Sequence, residues 1–301
     1  MSISHYIKEI GRGRDGARAL DRAQAADLMG QILDGQVSDL ELGAFCLAMR
    51  IKGETDQEMA GFLDATHARL HPIRTSGPVV VLPSYNGARK LPVLTPLLAH
   101  LLAREGLAVV MHGTPTESTR VTSQDVLTAM GMASFHPTRV VQSQEVVFVP
   151  TEVLCPGLKR LLDVRRVVGL RNPAHSLVKL MNPSTQTDAL LVSSYTHPEY
   201  AASMADTFKL TGARALLLRG TEGEVVADAR RTPHMDAFVH GTRTPLVPAQ
   251  AGSLIKLPEL PTDIDAAITA RYTEGVLKGE LPVPAPLAAQ VQAVLTALTL
   301  G

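Results

Sequence analysis

Val79-Val80-Val81-Leu82-Pro83-Ser84-Tyr85-Asn86-Gly87-Ala88-Arg89-Lys90 decides the fold class of this chain. Its four leading apolar residues, three of them β-branched, fit a strand buried on both faces. A short loop of small polar residues with one glycine follows, and Leu94 to Leu102 then carry an apolar helical pattern. Strand, loop and helix in this order is how α/β proteins hold phosphate at a helix start. A second strand and loop come at once, Leu107–Met111 and then His112-Gly113-Thr114-Pro115. Both loops are expected at the carboxyl edge of one sheet, facing one crevice.

The alternation continues downstream. Strands are predicted at Val79–Leu82, Leu107–Met111, Val146–Val149, Ala189–Ser193 and Arg214–Leu218, with helices at Leu94–Arg104, Ser123–Met130 and Pro198–Leu210. Such βαβ alternation calls for a mainly parallel sheet. A hairpin is expected at Asp236–Val247, turning at Gly241, and closing helices at Asp263–Lys278 and Ala285–Leu298. The proline-rich Leu281–Pro286 links those two helices. Upstream, roughly the first 70 residues read as helix only. Asp21 caps Arg22–Leu33, and Ser38 with Glu41 and Thr55 with Glu58 form capping boxes. Cys155 to Asn182 reverts to helix without a strand.

The chain has 301 residues, 45% of them hydrophobic and 19% charged, so a packed core is expected. No apolar run reaches the ~18 residues of a membrane span, and the charged N-terminus lacks a signal-peptide h-region. Cys46 and Cys155 are far apart and lack metal or redox spacing, which fits a reduced, cytoplasmic protein. His5, His67, His71, His100 and His136 show no metal-ligand spacing. The net charge is zero, so any nucleic-acid role must rest on a local patch.

Three pieces of the helical part, Ile32-Leu33-Asp34-Gly35, Gly43-Ala44-Phe45 and Arg50–Thr55, stand in chain order with His112-Gly113, Val164–Arg171 and Asn182-Pro183. Together they resemble anthranilate phosphoribosyltransferase, of the glycosyltransferase family 3 fold. More closely, the chain is similar to the YbiB-type, TrpD-like branch of that superfamily, a group described as nucleic-acid-binding. That closer match is carried by Lys8–Gly13, Pro83–Lys90, Arg171–His175, His197–Tyr200 and Gly220–Val225. The matches span nearly the whole chain, which stops slightly short of the family's closing segment. The resemblance implies a discontinuous helical domain, 1–72 with about 154–183, that forms a homodimer. The larger α/β domain, 73–153 with 184–301, has the fold of the nucleoside phosphorylases and phosphoribosyltransferases.

The resemblance also implies a chemistry, namely transfer of an amine onto phosphoribosyl pyrophosphate. That needs donors for the pyrophosphate, Mg²⁺ to offset its charge, and an arginine for the acceptor carboxylate. Here the family's G-T-G-G-D loop is Pro83-Ser84-Tyr85-Asn86-Gly87, with bulky Tyr85 where backbone must approach phosphate. The family's asparagine falls on Val93, its lysine on Met111, and its Asn-Arg pair on Thr114-Pro115. Its metal-holding Asp-Glu pair falls on Val225 and Val226, with Glu222 and Glu224 nearby as the only remaining metal candidates. Ser84, Asn86, Gly87, Thr95, His112, Gly113, Ser118 and Thr119 form the remnant of a phosphate and substrate pocket, and Arg165 matches the acceptor arginine. Each lost charge-assisted contact is worth about 1.5–3 kcal/mol, so ordinary phosphoribosyl transfer is not expected. His112-Gly113 reads as a tight strand-to-loop turn rather than as a catalytic pair. No cofactor is expected, and Mg²⁺ only if the chain is a pentosyltransferase with a remodelled substrate.

Between Cys155 and Asn182 six basic side chains, Lys159, Arg160, Arg165, Arg166, Arg171 and Lys179, face one acid, Asp163, a net of +5. Lys159, Asp163 and Arg166 share a helical face. Arg12, Arg14, Arg89 and Lys90 are candidates to extend the patch. A solvated helix face is the plainer account. The sharper one is non-specific binding of DNA or RNA through phosphates, in a groove doubled by the dimer. No aromatic residue interleaves with these arginines, so base stacking is not expected.

Overall fold

The computed structural model describes residues 2–13 and 15–301, which leaves Arg14 outside. The chain divides into two compact units, Met1–His71 with Thr151–Pro183, and Pro72–Pro150 with Ser184–Gly301.

In chain order the elements begin with α1 (Ser4–Ile10), α2 (Arg22–Leu33), α3 (Asp39–Lys52) and α4 (Asp56–His67). Next come β1 (Val79–Pro83), α5 (Thr95–Arg104), β2 (Ala108–Gly113), α6 (Ser123–Ala129) and β3 (Val146–Pro150). The helical return is α7 (Thr151–Leu154), α8 (Pro156–Val168) and α9 (Ala174–Leu177). The remainder is β4 (Leu190–Tyr195), α10 (Pro198–Thr211), β5 (Ala215–Arg219), β6 (Met235–Val239), β7 (Thr242–Val247), α11 (Ala266–Leu277) and α12 (Ala285–Thr299).

In the helical unit the caps foreseen from sequence start their helices. Asp21, Ser38 and Thr55 each accept from the backbone three residues on, and Gln24, Glu41 and Glu58 close the reciprocal bonds. This satisfies backbone donors that a helix start leaves open. Helices α2 and α4 pack through Ala25, Leu28, Met29 and Ile32 against Met59, Phe62 and Leu63, all buried. Phe62 meets Phe45 of α3 edge to face, with centroids 6.1 Å apart. Helix α8 joins through Gly157, where a Cβ would stand 2.1 Å from the Leu33 carbonyl oxygen, so only glycine allows the approach.

The second unit is built on a seven-stranded sheet of order β3-β2-β1-β4-β5-β6-β7. Strands β1 to β5 are parallel, while β6 and β7 add antiparallel at one edge. The parallel strands β1 to β5 are mainly apolar and buried, as strands covered by helices on both faces must be, whereas edge strand β7 is polar and partly exposed. Val80, Leu82, Val109, Met111, Leu190 and Leu216 form one core with Leu97, Leu98 and Leu102 of α5. Strand order runs outward from β1 in one direction and from β4 in the other. The carboxyl ends of β1 and β4 therefore flank the switch point, where open α/β sheets open a crevice. Among the described residues no helix is long and apolar enough to cross a membrane.

Candidate functional site

The loop after β1 begins at that switch point. Ser84 donates its amide to the His112 carbonyl at 2.8 Å, so β1 and β2 stay zipped to the loop's first residue. Gly113 sits where a Cβ would lie 1.9 Å from the Ser84 carbonyl oxygen, which fixes glycine there. His112 and Gly113 are thus the last residues of a buried strand, not the turn read from sequence. The His112 ring is buried, and its Nδ1 lies 2.8 Å from the Tyr85 hydroxyl. Tyr85 is therefore turned inward and serves as packing with a satisfied polar tip. Val93 is buried as well, in a small cluster with Ala88, Val126 and Ala270.

The loop's polar groups converge on two carboxylates 131 to 140 residues away in sequence. Glu224 Oε1 accepts from the amides of Asn86 and Gly87, each at 2.8 Å. Its Oε2 accepts from the hydroxyls of Ser84 at 2.5 Å and Thr95 at 3.0 Å. A carboxylate offers about four acceptor positions, so this one is fully used. Thr95 opens α5, which also brings the positive end of that helix to Glu224. Glu222 does the same one step along the loop, accepting from the amides of Arg89 at 2.6 Å and Lys90 at 3.0 Å, with Leu91 at 3.4 Å. The Asn86 side chain donates to the Glu222 carbonyl at 3.1 Å. The recess between the loop and residues 221–226 has no room for a water molecule.

The residues carrying the two carboxylates form a short strap after β5. It is held by Gln290 of α12, which donates to the Val225 carbonyl at 2.8 Å and accepts from the Ala227 amide at 2.7 Å. Val225 and Val226 are buried apolar residues and offer a metal nothing. Glu222 and Glu224, the metal candidates from sequence, spend their oxygens on loop amides and hydroxyls instead. Among the described residues no group of three or more His, Cys, Asp or Glu side chains converges for a metal. The donor set therefore does not fit the Mg²⁺ that the family implies. Ser118 and Thr119, foreseen as phosphate contacts, lie in the exposed turn after β2.

The basic stretch is in the helical unit. Helix α8 buries Leu158, Leu161 and Leu162 and turns its charged side outward. Asp163 pairs with Lys159 and, at 3.4 Å, with Arg166, so the one acid partly offsets two of the cations. Arg160 donates to the Leu33 carbonyl at 2.9 Å and caps the end of α2, a structural task the sequence did not reveal. Arg160, Arg166 and Arg171 are exposed, and Arg165 and Lys179 half-buried. Arg12 bonds Glu9 at 2.6 Å on the same unit. Arg89 and Lys90 belong to the other unit, where their amides serve Glu222 and their side chains are exposed. Burial lowers the pKa of half-buried His100, which fits a neutral packing role. Burial likewise pushes the Cys46 thiol up to about 11, against a hydrogen bond from Asn172, so it is not a poised nucleophile.

Residues 4–69 match the model of the glycosyl transferase family, helical bundle domain. The chain is 41% identical over 308 residues to the uncharacterized protein YbiB of Escherichia coli (strain K12), covering 99% of this chain and 94% of that one. It is 30% identical over 290 residues to anthranilate phosphoribosyltransferase of Symbiobacterium thermophilum, covering 91% and 81%. Among solved structures it is similar to anthranilate phosphoribosyltransferase (TrpD) from Thermus thermophilus. That match has a TM-score of 0.73 at 25% identity and covers 97% of this chain and 87% of that one.

Proposed function

We propose, for a chain that belongs to the TrpD-like glycosyl transferase family, that it binds nucleic acid through phosphates and does not transfer phosphoribose. The observation that carries this reading is the exposed edge of α8 and the turn after it. Arg160, Arg166 and Arg171 are exposed there, in a stretch with a single acid. Such an edge attracts phosphate without reading bases, and no aromatic side chain lies among the arginines to stack on them. Exposed apolar residues accompany it: Leu40, Leu47 and Ile51 along α3, and Val167 and Leu170 at the end of α8. Apolar stripes of this kind favour pairing of two copies through the helical unit, which doubles the basic edge. Light scattering should then read twice the 32.2 kDa chain mass, and a monomer at micromolar concentration would remove the doubling.

A gel shift with random single- and double-stranded DNA tests the main reading. Binding at micromolar protein or better is expected at low salt. If about six phosphates are neutralised, log affinity should fall against log salt with a slope near −5. No shift at micromolar protein, or a shift indifferent to salt, sinks the proposal.

The second reading is pentosyl transfer of the anthranilate phosphoribosyltransferase type with a remodelled substrate. Family membership favours it, as does the retained layout of Ser84, Thr95 and the β1 loop. Against it stand the two carboxylates filling the loop and the missing metal donors. Calorimetry with phosphoribosyl pyrophosphate and Mg²⁺ is expected to give no binding heat, and a saturable heat would restore this reading.

A further inference from the structure

We propose that Glu222 and Glu224 are the resident ligands of the β1 loop, an intramolecular stand-in for an anion with two adjacent charged groups, of the diphosphate class. Five amides of one short segment, those of Asn86, Gly87, Arg89, Lys90 and Leu91, point to these two side chains. The Ala88 amide alone turns away, to the Val121 carbonyl at 2.7 Å. The hydroxyls of Ser84 and Thr95 complete the set. Successive amides converging on one side of a loop form a concavity of partial positive charge, which is an anion site. Here the anions are supplied by the chain.

The strap is shaped for this task. Glu222 has a φ of 54° and Gly223 one of 92°, and a non-glycine residue at positive φ is held there only by its surroundings. A Cβ on Gly223 would lie 1.6 Å from Asn86 Nδ2, so glycine lets strap and loop meet. The Ser194 hydroxyl at the end of β4 holds the Gly223 carbonyl at 3.1 Å. The result is an autoinhibitory contact: the loop keeps its donors and the strap excludes free anions from them. This inference is independent of DNA binding by α8, and neither result decides the other.

A brace that merely fills space predicts nothing about free anions; a resident ligand predicts that an anion can replace it. Thermal unfolding of the full chain reads the difference, with inorganic phosphate or pyrophosphate compared against chloride at equal ionic strength. The wild type should respond no more to either than to chloride. Glu224→Ala should melt lower and recover by about 3 °C or more at phosphate concentrations ten times its Kd. Glu222→Ala, whose lost carboxylate is only half-buried, should respond in the same way to pyrophosphate. It serves as the readout if Glu224→Ala fails to fold. The proposal is overturned if neither variant rises beyond its chloride control, or if the wild type rises as much as the variants.

Discussion

The double variant Arg166→Ala, Arg171→Ala should bind random single-stranded DNA about 10- to 100-fold more weakly, with little change in stability. The stability part follows from exposure. The Arg166 side chain is 65% exposed and sits 3.4 Å from Asp163, an exposed pair of the kind worth less than about 1 kcal/mol. Asp163 keeps its bond from Lys159 when Arg166 is removed. Arg160 is left in place because its bond to the Leu33 carbonyl supports α2, and its loss would mix folding with binding. The affinity part follows from counterion release. Each phosphate contact removed lowers the salt slope on a single strand by about 0.7, so the four arginines lost from a dimer lower it by about three. Weakening should be uniform across sequences, since phosphate contacts carry no base information. Arg139→Ala is the matched control. It removes an exposed arginine of the other unit, already paired with Glu145, and should leave affinity unchanged. Unchanged affinity and slope in the double variant would remove α8 from the interface.

Local signals were legible in the sequence, and long-range partners were not. The capping boxes at Ser38 and Thr55 depend on residues three apart, and both form where they were read. The β-branched runs at Val79 and Val146 are strands because a buried parallel sheet leaves no other place for them. Tyr85 and Val93, which stand where the family's loop glycine and asparagine are expected, are both buried. The partner of the loop could not be read. Glu224 meets Asn86 across 138 residues, and its direction depends on the positive φ of Glu222 and Gly223. Acids beside a loop look in a sequence like metal ligands or solvated charge until the backbone shows where they point. The structural task of Arg160 is hidden for the same reason: it lies at a carbonyl 127 residues away. The sequence suggests a strand-to-loop turn at His112-Gly113, and both residues belong to β2. The close approach of Ser84, which requires that glycine, occurs inside the sheet.

Glu58→Ala should cost about 3–5 kcal/mol of stability. Glu58 is completely buried, and its two oxygens hold three parts of the unit together. Oε1 accepts from the Leu20 amide at 3.0 Å and anchors the segment ahead of α2. Oε2 accepts from the Thr55 amide at 2.9 Å and closes the capping box of α4. The same oxygen accepts from Lys52 at 2.6 Å, at the end of α3, where the lysine side chain is only 9% exposed. Truncation strands a buried ammonium and leaves the Leu20 and Thr55 amides without their acceptor, and unsatisfied buried groups are what make such losses large. The reverse truncation should cost less. Lys52→Met leaves Glu58 with the Leu20 and Thr55 donors, so its charge remains solvated by the protein, while Lys52 has the Gly53 carbonyl at 2.8 Å besides Glu58. Denaturant unfolding of both variants and of the double variant measures the coupling directly. The expected order is Glu58→Ala well below Lys52→Met, with the double variant less destabilised than the sum of the two. If Glu58→Ala lies within about 1 kcal/mol of the wild type, the carboxylate is not the joint between α3, α4 and the Leu20 segment.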